Sequence, residues 1–189
     1  YAGQIVVMTA PHIGNTGVNE DDTESHRIWV SGFVVRDPSR VVSNHRATGS
    51  LDDELAAGAV VGISGVDTRA VTRRLRDAGA MRAGIFSGDD AALDADEQLA
   101  IVRSGAQMAG QNLSARVSVA SETVTPATGE PLGVLAVIDL GVKQSTLDEL
   151  AARGFEVHVL PHDVTLEQVL AIEPVAVFYS NGPGDPAAS

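Results

Sequence analysis

The sequence has 189 residues, 44% hydrophobic and 20% charged, with a formal net charge of −12. That balance describes a folded chain with one sizeable core or two small ones, excludes disorder, and includes no apolar run near the ~20 residues of a membrane-spanning helix. The acidity argues against nucleic acid as a partner, because phosphate backbones need a basic surface, and without any cysteine the chain has no disulfide, no thiolate metal site and no thiol nucleophile. Tyr1 stands directly before an apolar run with no initiator Met, and Ser189 closely follows a glycine- and proline-rich loop. Both ends therefore read as cut from a longer protein.

Residues 4–9, Gln-Ile-Val-Val-Met-Thr, are rich in β-branched side chains and predict a strand closed by Pro11. Loop follows, including the acidic patch Glu20, Asp21, Asp22 and Glu24, which lacks the spacing of a calcium loop and reads as solvated. Residues 29–35 resume extended structure with Gly32 as a candidate bulge. Ser50 caps a helix that Gly58 ends, Val60 to Ile63 form a short strand, and Asp67 and Thr68 open the next helix, which runs to Ala78 and stops at Gly79. That helix carries Arg69, Arg73, Arg74 and Arg76, four of the 13 basic residues of the chain. They form either a solvated face or a docking face for an acidic partner, since guanidinium forks suit carboxylates and phosphates. A short apolar segment at 80–87, a helix at 94–103 and a short strand at 117–119 complete residues 1–120, a mixed, β-rich α+β domain.

Residues 121–133 carry Thr, Pro and Gly without a helical or strand period and read as an interdomain linker. From 134 to 189 the pattern changes. The continuous apolar run 134–138 is that of a buried parallel strand, and residues 144–153 are helical with Leu147 and Leu150 inward. Residues 155–160 are the next strand, Thr165 and Gln168 form a capping box, Pro174 closes that helix, and 175–179 are a third strand. The result is βαβαβ, the first part of a right-handed doubly wound sheet.

The third strand stops at Ser180-Asn181-Gly182-Pro183-Gly184-Asp185-Pro186, where two prolines and two glycines in five positions cannot continue a ladder. The loop lies outside the carboxyl end of a strand, where ligands of such sheets bind, and Gly182 and Gly184 expose backbone that a ligand can approach. A tight surface turn is the plain alternative. Other candidates are weaker. Residues 139–145 lack both phosphate-loop spacings, and His158 and His162, at the spacing of a helical metal pair, are separated by Pro161 in a strand context. His12, His26 and His45 stand isolated.

The run 180–186 resembles the glycine loop of class I glutamine amidotransferases. Gln4-Ile5-Val6 with residues 11–19, and Gly65-Val66-Asp67-Thr68-Arg69-Ala70-Val71-Thr72-Arg73, resemble the amino-terminal domain of the small, glutamine-hydrolysing subunit family of carbamoyl phosphate synthetases. The resemblance covers essentially the whole chain. It implies that residues 134–189 begin a flavodoxin-like amidotransferase domain, and that the main chain of Gly182 and Gly184 contacts glutamine, with the Gly182 N–H helping to stabilise the oxyanion. It implies a cysteine nucleophile with a His base and a Glu, all three lying beyond Ser189, so that the catalytic triad has no member in this chain and the chain alone is inactive. It further implies ammonia delivery to a large subunit, which uses ATP and Mg with bicarbonate to make carbamoyl phosphate for arginine and pyrimidine synthesis. The expectation that follows is a cytoplasmic setting and a small and large pair, with no cofactor or metal on this chain and neither nucleic acid nor a membrane as a partner. The competing expectation is a non-catalytic docking or regulatory module with a flavodoxin-like half domain.

Overall fold

The computed structural model describes residues 1–188. Contacts divide the chain into two compact units, one comprising Gly3–Gln107 with Tyr1 and the other running from Met108 onward with Ala2. The sequence predicts domains at 1–120 and 134–189 with a linker at 121–133; by contacts, residues 108–133 group with the second unit.

In the first unit, β1 (Ile5–Val7), β2 (His12–Ile13), β3 (Gly32–Val34) and β4 (Asp37–Pro38) precede α1 (Leu51–Ala57), β5 (Gly62–Ile63) and α2 (Thr68–Ala78). A 3₁₀ turn at Gly88–Ala92 and α3 (Ala95–Ser104) follow. Strands β1, β3 and β5 form a parallel sheet in the order β1-β3-β5, and β2 pairs with β4. The helix starts follow from their caps. Ser50 accepts from the Asp53 N–H, Asp67 from the Ala70 N–H, and Asp94 forms a capping box with Glu97. Gly79, at φ 80°, ends α2 in a conformation that strains any residue with a side chain. Two expectations change. Gly32 is no bulge, because it stands opposite Ile5 in an unbroken ladder, and a Cβ there would press on Ile85 Cδ1, the movable end of that side chain, at 2.9 Å. The apolar segment 80–87 adopts no regular secondary structure.

The second unit contains α4 (Ser114–Val117), β6 (Thr123–Thr125), β7 (Gly133–Ile138), α5 (Gln144–Ala152), β8 (Phe155–Leu160), α6 (Leu166–Ala171) and β9 (Ala176–Tyr179). Its sheet has the order β6-β8-β7-β9, with β7 parallel to both neighbours and β6 antiparallel to β8. The expected βαβαβ arrangement is present. Two local expectations fail. Residues 121–133 are no free linker, because Thr123–Thr125 pairs with β8 through Val124 opposite His158. The predicted strand at 117–119 is displaced by α4, whose last residue is Val117. Alternation along β7 sends Leu135 and Val137 to a cluster with Leu147, Ala151, Val157 and Val159, and Ala136 and Ile138 to a second cluster with Leu160 and Val169. Burying each such Val or Leu contributes about 1.5–3 kcal/mol. At the sheet edge, β9 is exposed along its whole length, with Tyr179 at 70%.

Candidate functional site: the glycine loop after β9

Two loops meet at the carboxyl ends of β7 and β9. In the first, Asp139 is buried at 4% exposure, a position a carboxylate occupies only when its oxygens are satisfied. Its Oδ1 accepts from the N–H groups of Gly141 and Val142, both at 2.9 Å, and its Oδ2 accepts from the Val119 N–H at 2.7 Å. The carboxylate therefore folds the β7–α5 turn around itself and ties it to the segment after α4. This is the physical role of a loop that has no phosphate-binding spacing.

In the second loop, Ser180 is buried, and its Oγ accepts from the Leu140 N–H at 2.9 Å while donating to the Asn181 carbonyl at 3.1 Å. The Ser180 N–H continues the ladder by donating to Ile138 O at 3.2 Å. Asp185 closes the far end of the loop. Its carboxylate accepts from the N–H of Gly110 at 2.8 Å and of Ala187 at 3.0 Å, and its own N–H donates to Gln111 O at 3.0 Å. These two N–H groups, Gly110 first, hold the Asp185 carboxyl below the usual carboxylate range.

Gly182 and Gly184 lie between these anchors. A Cβ on Gly182 would stand 2.4 Å from Leu140 O and 2.9 Å from Ser114 Oγ, and one on Gly184 would stand 2.5 Å from Gln111 O. Gly184 also has φ 95°. The sequence suggested glycine as a way to let a ligand approach. The structure gives a different reason, which is that the loop packs its own backbone into the space two side chains would need. What remains for a ligand is the N–H side. Gly182 is exposed, and the N–H groups of Gly182 and Gly184 have no acceptor among the described residues. A rigid loop with unspent backbone donors can bind a carbonyl oxygen or the oxyanion that develops from it. It cannot attack, since no cysteine exists in the 189 residues.

The histidines occupy more structured places than expected. His12 Nδ1 lies 2.8 Å from Asp37 Oδ2 across the β2–β4 pair, and His26 meets Trp29 edge-on at 5.3 Å, with Arg27 over the same indole at 4.0 Å. His158 sits between Glu122 at 2.5 Å and Glu156 at 2.9 Å. Burial works against its charged form, but the hydrogen bonds to Glu156 and Glu122 outweigh that and raise its pKa. Sequence reasoning missed this triad of side chains. The available signal was Glu156, two residues before His158 and so on the same strand face. His162 is drawn elsewhere, its backbone N–H donating to Ser118 Oγ at 2.9 Å. Among the described residues no group of three or more His, Asp or Glu side chains is arranged to hold a metal. In the acidic patch, hydrogen bonds from Asn19 and Arg46, each 2.7 Å from the Asp22 carboxylate, hold its pKa low.

Residues 1–85 match the family described as carbamoyl-phosphate synthase small chain, CPSase domain, and residues 136–189 match glutamine amidotransferase class-I. The chain is 59% identical over 189 residues to the carbamoyl phosphate synthase small chain of Streptomyces coelicolor and 57% identical to that of Streptomyces avermitilis, in each case over all of this chain and 50% of the relative. It is 50% identical over 195 residues to the protein of that name from Mycobacterium tuberculosis, covering 51% of it. The chain thus spans about half the length of the curated relatives it matches.

Proposed function

We infer that this chain, which belongs to the carbamoyl phosphate synthase small-chain family, supplies one wall of the glutamine site of a glutamine-hydrolysing carbamoyl-phosphate synthase. The observation that carries the reading is the N–H of exposed Gly182, which has no acceptor among the described residues on a loop anchored at its two ends by Ser180 and Asp185. In the reaction, a thiolate supplied from outside these residues attacks the side-chain amide of glutamine. The carbonyl oxygen becomes an oxyanion, and the Gly182 N–H donates to it, with Gly184 shaping the same pocket. Collapse of the oxyanion breaks the C–N bond and expels ammonia, leaving a glutamyl thioester that water hydrolyses to glutamate and the free thiol.

The ammonia goes to a large subunit that holds ATP and Mg and forms carbamoyl phosphate with bicarbonate, in the cytoplasm, for arginine and pyrimidine synthesis. The relatives named carbamoyl phosphate synthase small chain support this partnership.

The test compares two samples. The full-length protein paired with its large subunit releases glutamate from glutamine with saturation, whereas the 189-residue polypeptide alone releases none. Absence of release by the pair, or saturable release by the polypeptide, overturns the reading.

A further inference from the structure

The first unit contains a cleft of about 600 Å³ that the glycine loop does not explain. We propose that this cleft is a phosphate-binding site, taking a phosphate group either free or carried on a small metabolite.

Its position follows from the parallel sheet. Thr9 lies just beyond the carboxyl end of β1, Arg36 just beyond that of β3, and Thr68 begins the helix that follows β5. All three line the cleft, so it lies along one carboxyl edge, the edge at which parallel sheets bind ligands. The backbone there is pinned, with the Gly65 N–H donating to Arg36 O at 2.9 Å. The opposite wall is one stripe of α2. Arg69, Thr72, Arg73 and Arg76 recur at helical spacings of three and four and all face the cleft, while Arg74 lies off the stripe and outside it.

The chemistry of the lining selects the ligand. Four arginines and three threonines line a cavity with no acidic residue on its walls. Arg76 meets Asp77 at 3.4 Å, but Arg36, Arg69 and Arg73 form no ion pair among the described residues. A chain of net charge −12 therefore concentrates unpaired positive charge in one concavity, where the mutual repulsion of the guanidiniums is relieved by an anion. One carboxylate engages one Arg fork. A phosphate dianion has more charge and enough terminal oxygens for two forks and a hydroxyl. The volume is within the ~300–1,000 Å³ range of small-molecule sites, which favours a compact ligand over an acidic protein segment.

The test is calorimetric titration of the full-length protein at low ionic strength with inorganic phosphate and with ribose 5-phosphate. Saturable one-to-one binding is expected, with the tighter of the two probes distinguishing a free from a carried phosphate. Arg36→Met and Arg73→Met should each weaken binding at least about tenfold, the loss of a charge-assisted hydrogen bond, with Arg74→Met unchanged. Thermal melts check that each variant is folded, and Arg73, on an exposed helix face, serves if Arg36→Met does not fold. Lack of saturable binding of either probe, equal loss on Arg74→Met, or arginine-dependent binding of a glutamate-rich peptide that neither phosphate displaces overturns the proposal.

Discussion

Gly182 lies so close to Leu140 that a Cβ on the glycine would stand 2.4 Å from the Leu140 carbonyl oxygen. The contact is backbone against backbone, and a side chain there cannot be accommodated by a rotamer change. The loop after β9 is thereby indexed on the turn after β7, and the direction of the Gly182 N–H is set by the sheet itself.

Gly182→Ala should therefore misplace the donor. In the full-length protein with its large subunit, glutaminase kcat/KM should fall by about 10²-fold, the scale of losing one oxyanion donor. The melting temperature should fall as well, because the Leu140 backbone must shift to admit the Cβ. Steady-state glutamate release beside a thermal melt separates the two effects, and an unchanged kcat/KM would remove Gly182 from the oxyanion role.

Ser180→Ala tests the same junction from the other side. It leaves the part-buried Leu140 N–H without its 2.9 Å acceptor, the hydroxyl of buried Ser180. Stranding a buried donor costs about 1–3 kcal/mol, so the urea midpoint should drop accordingly. A midpoint within error of the parent would show that water replaces the hydroxyl.

Much of this architecture was legible locally. Ser50, Asp67 and Thr165 cap the helices their sequence positions predict, Asp94 caps the helix expected at 94–103, and the apolar runs at 134–138 and 155–160 became β7 and β8. Local signals end where pairing is remote. Thr123–Thr125 is short and flanked by loop residues, and it is a strand because β8 offers it an edge. The glycine loop was visible as a motif, but not why it needs glycine, since Leu140 O and Gln111 O are about 40 and 70 residues distant. Nor could sequence bring Arg36 to the Arg69 and Arg73 stripe.

His158 makes stability depend on pH. Its folded pKa is raised above the ordinary 6.5 by Glu156 and Glu122 against the opposing effect of burial. The folded state therefore holds the proton more tightly than the unfolded state. The stabilisation is fully present below the unfolded pKa and is lost as pH rises through the raised folded value. Unfolding midpoints should fall over that window, and Glu122→Gln with Glu156→Gln should flatten the dependence. A histidine titration by NMR that gives His158 an ordinary value would refute the assignment.

Asp139→Asn isolates the charge that organises the β7–α5 turn. The amide keeps one oxygen but turns an NH₂ toward either the Val119 N–H or the pair from Gly141 and Val142, all within 2.9 Å of the present carboxylate. Donor then faces donor at a site 4% exposed, and a charge-assisted bond is lost besides. The expected cost is about 2–3 kcal/mol. Because Leu140 follows directly and donates to Ser180, the disturbance should reach the glycine loop. Glutamine KM in the full-length protein should therefore rise together with the drop in stability. Asp139→Ala, which removes both acceptor oxygens and leaves all three N–H groups unpaired, should cost at least as much stability as Asp139→Asn. If Asn were tolerated as well as Asp in both measurements, the turn would be held by packing of Leu140 and Val142 and not by the carboxylate.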